Sequence, residues 1–241
     1  MRLDQHLVST GLADSRAKAQ EAIAAGLVTV NGAVAIKASQ KISVADEVAV
    51  TGSFHPFVSL GGIKLAAALQ RMKIDPAGKT CLDLGASTGG FTDVLLRAGA
   101  AKVYAVDVGR GQLHEKIASD RRVVNLEQTH AKDLTRVLIP DMIELIVCDV
   151  SFISLKKALP HALALAAPGA RLVALIKPQF EVGPAGIGKG GIVKEGLAQP
   201  VADDIKEWVE LRGWRIIDLM DSPILGGDGN KEFLIGAAKT A

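Results

Sequence analysis

Residues 81–92 run CLDLGASTGGFT, and the hydrophobic period changes in the middle of them. Leu82 and Leu84 lie in a short apolar run that ends at Gly85, as a buried strand would. The spacing Gly85-x-x-x-Gly89-Gly90 then lets the backbone turn tightly and approach a neighbour closely, before Phe91, Val94 and Leu95 take up helical spacing. Strand, Gly-rich turn and helix start are the unit from which a doubly wound α/β sheet is built, with a ligand crevice at the carboxyl end of the strand. The dinucleotide fingerprint Gly-x-Gly-x-x-Gly is absent, and so is the Gly-Lys-Ser/Thr of a P-loop. An ordinary strand-to-helix turn would carry the same local pattern, so the neighbouring elements have to discriminate.

Working outward, residues 101–108 (AKVYAVDV) predict a second strand ending at Asp107, 24 residues beyond Asp83. An acid so placed can accept hydrogen bonds from the ribose hydroxyls of a nucleoside. Residues 123–126 predict a third strand; Asp133, shortly after it, could accept from an adenine amino group or cap a turn. Residues 145–150 (LIVCDV) predict a fourth strand with Asp149 at its exit, the third acid on one sheet edge after Asp83 and Asp107. A fifth, 171–176, follows the turn Pro168-Gly169 and delivers Lys177 to that edge. Residues 183–191 hold five glycines and a proline, which predicts a loop over the substrate side. Lys189 and Lys194 there could hold phosphates or simply be solvated. A helix over 201–212 should turn Ile205, Trp208, Val209 and Leu211 inward, with both tryptophans packing rather than stacking on bases. Strands over 214–220 and 233–237 end the chain, and Glu232 opens the second.

With 241 residues and 49% hydrophobic composition, the chain can bury one large core and a small second domain. A formal net charge of +2 permits nucleic-acid binding without arguing for it. Cys81 and Cys148 sit in apolar runs, which predicts buried, reduced thiols, and no metal site is expected. There is no signal-peptide pattern and no membrane-length apolar run. A cytoplasmic protein without stable membrane association is expected; the oligomeric state is not derivable.

The amino-terminal segment carries Leu3 and Leu7 at helical spacing. Asp14 or Ser15 caps a second helix with Ala19, Ala22 and Ile23 inward and Gly26 as its stop. A strand over 27–30 leads into the hairpin turn Asn31-Gly32, and Val34, Ile36, Ile42, Val44, Val48 and Val50 should continue the sheet. RLDQHLV followed by GLADSRAKAQEAIAAGLVTVNG resembles the RNA-binding module of the ribosomal-protein S4 type. That resemblance implies RNA contacts at Arg2, Ser15, Arg16, Lys18, Gln20 and Asn31, with Arg16 and Lys18 meeting phosphates near a helix start. Residues 1–50 hold five basic and five acidic side chains, so binding by this module should be modest and salt-sensitive. The expected organisation is this module over 1–52, a linker over 53–57 and a catalytic domain over 58–241.

SLGGIKL, LDLGASTGGFTDVLL, VYAVDVG, CDVSFIS, LIKPQFE, GKGGIVK and SPILGGDGNKEFL together resemble the TlyA-type haemolysin and ribosomal RNA methyltransferase family, within the FtsJ-like ribose 2'-O-methyltransferases. The resemblance implies a Rossmann-like S-adenosylmethionine-dependent methyltransferase sheet behind a small α+β RNA-binding domain. It implies that Lys64, Asp149, Lys177 and Glu232 surround the target ribose. Lys177 would take the hydroxyl proton, aligned by Asp149, while Lys64 and Glu232 orient the sugar. To accept a proton Lys177 must be neutral; acidic neighbours favour the ammonium, burial or a like charge the amine, and both stand at this point. For S-adenosylmethionine, the backbone of Gly85 to Gly89 would pass the methionine portion with Ser87 or Thr88 in polar contact. Asp107 would take the ribose, Asp83 would organise the loop or the amino end, and Asp133 and Asp149 would complete the set. The implied substrate is a cytidine of ribosomal RNA, free or in a ribosomal subunit, with the large subunit expected from how abruptly the chain begins. A non-catalytic RNA-binding assembly factor and a membrane-active haemolysin are the competing classes. The complete charged set argues against the first, and the lack of a strongly amphipathic cationic helix against the second.

Overall fold

The computed structural model describes residues 1–13, 15–24, 26–50, 57–226 and 229–240, omitting the side chain of Glu21. Asp14 as a helix cap, residues 53–56 of the expected linker, and Gly227 and Asp228 of the last connection lie outside the described residues. Contacts divide the chain into two units, Met1–Pro56 and Phe57–Ala241.

In the first unit, α1 (Leu3–Ser9) and α2 (Arg16–Ala24) pack Leu3, Leu7, Ala19, Ala22 and Ile23 against Val28 and Val30. The Ser15 hydroxyl accepts the Lys18 N–H at the start of α2, the role of an N-cap. Strands β1 (Val28–Val30), β2 (Ala33–Val34) and β3 (Val48–Val50) form an antiparallel sheet in the order β2-β1-β3. Asn31 and Gly32 take φ of 52° and 79°, as the two-residue hairpin turn requires. The sheet is shorter than the apolar pattern predicts. Ile36 and Val44 are exposed, because the chain after β2 turns back to the amino terminus. There Gln40 and Ala38 carbonyls accept from Leu3 and Asp4, and Ile42 N–H donates to Met1. Those backbone groups are spent before they could join the ladder.

The second unit is built on seven strands. They are β4 (Thr80–Leu84), β5 (Lys102–Val106), β6 (Val123–Leu126), β7 (Ile143–Cys148), β8 (Ala166–Ile176), β9 (Trp214–Asp221) and β10 (Phe233–Lys239). Their order is β6-β5-β4-β7-β8-β10-β9; the first five are parallel, and β10 runs antiparallel to both its neighbours. The order reverses direction beside β4, so a crevice forms at the carboxyl ends of β4, β5 and β7. Along β4 the side chains alternate. Leu82 and Leu84 enter a cluster with α6 (Leu155–Ala164) and α7 (Ala198–Glu210). Cys81 enters one with α3 (Gly61–Met72), α4 (Gly90–Arg97) and α5 (Glu115–Ala118) on the opposite face. Both cysteines are buried and unpaired, and burial pushes the Cys81 thiol up to about 12.

Three details depart from the sequence reading. Pro168-Gly169 is not a turn before the strand but lies within β8, where the register against β7 jumps between Ile143 and Leu145; the extra residues are absorbed as a bulge. Leu211 is 78% exposed, because α7 ends at Glu210 and the chain leaves the inward face there. The Gly-rich stretch contains short 3-10 turns, Pro184–Gly186 and Lys189–Gly191, closed by an Ile187–Val193 bridge. Trp214 is buried and Trp208 carries the Arg212 guanidinium on its ring, so both serve packing. Among the described residues no helix is long and apolar enough to cross a membrane.

Candidate active site

Sheet register brings three of the four charged residues together, and a helix start supplies the fourth. Phe233 pairs with Ile176 across the antiparallel β8–β10 ladder, so one step further sets Glu232 opposite Lys177. Leu84 pairs with Cys148 and Cys148 with Ala174 in parallel, which brings Gly85, Asp149 and the end of β8 to one level. Lys177 Nζ lies 2.7 Å from Asp149 Oδ1. This contact is an ion pair, and the aligned hydrogen bond from Lys177 goes to Ser151 Oγ at 2.7 Å. Lys64, in the first turns of α3, donates from Nζ to Glu232 Oε2, and both side chains are buried. The amino end of that helix runs past Asp149: a Cβ on Gly61 would stand 3.5 Å from Asp149 Oδ2.

Next to this set a cavity of about 600 Å³ opens, lined at the strand ends by Gly85, Asp107 and Asp149 and beyond them by Ser87, His130 and Lys132. Its size suits a small organic ligand. A smaller space of about 110 Å³ shares Gly85, Ser87 and Asp149 and adds Thr88 and Ser59. Asp107 accepts Ser87 N–H at 2.8 Å and Gly109 N–H at 2.7 Å. Each carboxylate oxygen keeps a second acceptor site for a ligand hydroxyl. Glu127 accepts the backbone N–H groups of Gly111, Gln112 and Leu113. Those bonds hold its carboxyl below the usual range and fix the loop whose Gln112 faces the cavity.

Several expected ligand contacts have a different local role. Asp83 is not at the strand end but inside β4, fully buried, where it accepts from Thr92 Oγ1 at 2.6 Å. It faces α4 because it alternates with Leu82 and Leu84, and burial raises its carboxyl to about 7. Gly85, at φ 86°, lines the cavity and is also required by the protein itself: a Cβ there would stand 2.6 Å from the Asp149 carbonyl oxygen. Gly89 is buried at the N-cap of α4, where a Cβ would press on Leu113 and Ile117. Asp133 is exposed on the 3-10 turn Ala131–Asp133, just after the lining residues.

In the first unit, Arg2, Arg16 and Gln20 converge on one buried carboxylate, Asp4, at 2.9, 3.2 and 3.0 Å. Asn31 bonds Asp46 and the Glu47 N–H, tying β1 to the chain entering β3. Ser15 caps α2, Lys18 lies beside it half-buried, and Lys189 and Lys194 are exposed in the second unit. Sequence reasoning missed Ser151, Glu127 and Asp4 as organising groups. Only Ser151 had a local signal, two residues beyond Asp149. It also missed Phe152, 90% exposed at φ 64°, with its ring 5.0 Å from that of Phe180.

Comparison with known proteins matches residues 57–239 to the FtsJ-like methyltransferase model and residues 1–48 to the S4 domain model. The 16S/23S rRNA (cytidine-2'-O)-methyltransferase TlyA of Mycobacterium tuberculosis is 44% identical over 97% of this chain and 88% of its own length. Hemolysin A of Brachyspira hyodysenteriae is 42% identical over 97% of this chain and 98% of its own. A solved structure of a hemolysin candidate from Streptococcus thermophilus is 39% identical, superposes with a TM-score of 0.79, and spans 100% of this chain and 88% of its own.

Proposed function

The chain belongs to the FtsJ-like methyltransferase family, in its TlyA branch, and from that premise we propose that it methylates the 2'-hydroxyl of a cytidine ribose in ribosomal RNA using S-adenosylmethionine. Large-subunit RNA is the first substrate to test. The observation that carries this reading is the pairing of Lys177 with Asp149 and of Lys64 with Glu232 on the sheet edge beside the cavity. Residues around that cavity suit the donor: Asp107 offers acceptors for ribose hydroxyls, Ser87 a polar contact, and the Gly85 turn a close backbone wall. When bound, S-adenosylmethionine supplies an electrophilic methyl group.

A ribose hydroxyl is a weak nucleophile at neutral pH, so its proton needs an acceptor near the reacting oxygen. Lys177 takes that proton at Nζ after its ion-paired ammonium has released one to solvent. Asp149 and Ser151 fix where Nζ stands, and the Lys64–Glu232 pair orients the ribose. Attack of the ribose oxygen on a methyl carbon, with the carbon–sulfur bond breaking opposite, needs a nearly in-line approach, so the rigidity of both pairs matters as much as their charge. Arg2, Arg16 and Lys18 meet RNA phosphates from the S4 module, and Lys189 and Lys194 do so from the catalytic unit, where the protein acts on cytoplasmic RNA.

Mapping 2'-O-methyl marks on ribosomal RNA from cells with and without the protein tests the assignment, together with transfer of a labelled methyl group to purified ribosomal RNA. Loss of one mark without the protein, restored in vitro, is expected. Identical marks and no transfer would leave an RNA-binding assembly factor. The name of the Brachyspira hyodysenteriae relative favours membrane lysis as a second reading, which dye leakage from liposomes would reveal.

A further inference from the structure

Glu232 stands just before β10 rather than in the ladder, so something else must hold its carboxylate against Lys64. Part of the answer is Gly226: a Cβ there would stand 2.5 Å from Glu232 Oε1 and 3.0 Å from Cδ. Gly226 N–H donates to the Asn230 carbonyl at 2.9 Å, and Gly229 N–H to the Gly226 carbonyl at 2.8 Å. These bonds tie Gly226, Gly229 and Asn230 to one another just ahead of Glu232. The Asn230 side chain is 1% exposed, and both ends of its amide are used. Oδ1 accepts Val193 N–H at 2.9 Å, and Nδ2 donates to the Gly191 carbonyl at 3.0 Å. Gly191 and Val193 belong to the Gly-rich loop, which closes on itself through Gly188 N–H to Ile192 O and Lys194 N–H to Gly186 O. Lys189 and Lys194 flank the two points of attachment.

We propose that Asn230 is a positioning residue that couples the phosphate-gripping loop to the reacting centre, so that RNA held by Lys189 and Lys194 fixes Glu232 and, through it, Lys64. This rests on the methyltransferase reading above. A buried amide bonded at both ends to a segment 37 to 39 residues away in sequence transmits position, since moving either partner leaves a buried polar group unpaired. The loop's own backbone bonds, Gly188 to Ile192 and Lys194 to Gly186, hold it together as one piece, so the Asn230 clamp carries its position as a unit.

The test is single-turnover methyl transfer by the full chain, with ribosomal RNA and labelled donor both saturating, in wild type, Asn230→Asp, Lys189→Ala and the double variant. Asn230→Asp keeps shape and the acceptor for Val193, but sets an oxygen against the Gly191 carbonyl. Its rate is expected to fall ~10-fold or more, with donor affinity by calorimetry within about twofold and the circular dichroism spectrum unchanged. Coupling predicts non-additivity: once Asn230→Asp is present, Lys189→Ala adds less to the loss of rate than it does alone. Asn230→Ser, which keeps one short hydroxyl, provides a second variant if Asn230→Asp does not fold. An unchanged rate in a folded variant, or penalties that simply add, would overturn the proposal. Failure of wild type itself to transfer methyl would instead overturn the function it rests on.

Discussion

Lys177 and Asp149 leave neighbouring parallel strands, β8 and β7, and meet as an ion pair at 2.7 Å where both strands end. The same nitrogen donates to Ser151, two residues beyond Asp149, so Nζ is held from two directions before any substrate arrives. Such preorganisation is what a proton acceptor needs. Lys177→Ala is expected to slow single-turnover methyl transfer at least about 100-fold with donor and RNA saturating, while leaving both affinities near wild type. Lys177→Arg should be equally slow, because a guanidinium keeps the charge but does not take a proton. Ordinary turnover by the alanine variant would remove Lys177 from the reaction; full activity of the arginine variant would leave it a charge and not a base.

The Lys64–Glu232 pair is buried on both sides, with side-chain exposures of 10% and 3%. Removing one partner strands the other charge away from water, which costs about 3–5 kcal/mol, whereas replacing both with apolar groups can be neutral or stabilising. Lys64→Met and Glu232→Met are each expected to lower the midpoint of urea unfolding clearly, and the double variant to recover most of that loss. All three should fail to transfer methyl. A double variant as unstable as the singles would mean that the pair is not the stabilising unit, and an active double variant would take it out of catalysis.

The legible part of this molecule was the part set by local period. Apolar runs ending at Asp107 and Asp149 announced parallel strands and their exits, and Asn31-Gly32 announced its hairpin, because backbone geometry alone selects those residues. Asp83 reads as a strand-end acid, but both faces of a parallel sheet are covered, and an acid alternating with Leu82 and Leu84 points at α4, not at water. Arg2, Arg16 and Gln20 read one by one as RNA contacts, yet they meet at Asp4, a convergence that only the packing of α1 on α2 creates. The bond from Lys177 to Ser151 and the clamp at Asn230 join residues 26 and 37 to 39 positions apart, and no local pattern encodes a partner at that range.

Buried Asp83 gives stability a definite pH dependence. Its carboxyl rises from an ordinary 3.8 to about 7 in the folded chain, chiefly through burial, opposed by the bond from Thr92 and reinforced by the charge of Asp149. Below 3.8 both folded and unfolded chains hold the proton, and the full contribution is present. Between that value and about 7 the unfolded chain ionises first, so stability falls as pH rises, and it levels off above. The difference in unfolding free energy between wild type and Asp83→Asn should therefore shift against wild type from about pH 5 to about pH 8. Urea titrations across that range check it. A difference that does not move with pH would show that Asp83 ionises alike in both states.

Arg16 tests the S4 module independently of the chemistry. Its Nη2 lies 3.2 Å from Asp4 Oδ2, beside the bidentate Arg2 contact, and both guanidiniums remain about half exposed. A single buried carboxylate thus aims two cations outward, and the cluster keeps one net positive charge for a phosphate. Because Arg2, Gln20 and the Gln5 N–H still satisfy Asp4 without it, Arg16→Ala should cost little stability. On its proposed phosphate role, the slope of log affinity for RNA against log salt should shrink by about 0.7–0.9. The weakening should be nearly the same for RNAs of different sequence. Donor affinity, set in the other unit, should stay at the wild-type value. An unchanged salt slope, measured by filter binding over a series of salt concentrations, would mean that Arg16 serves only to hold Asp4 and that the phosphates are met elsewhere.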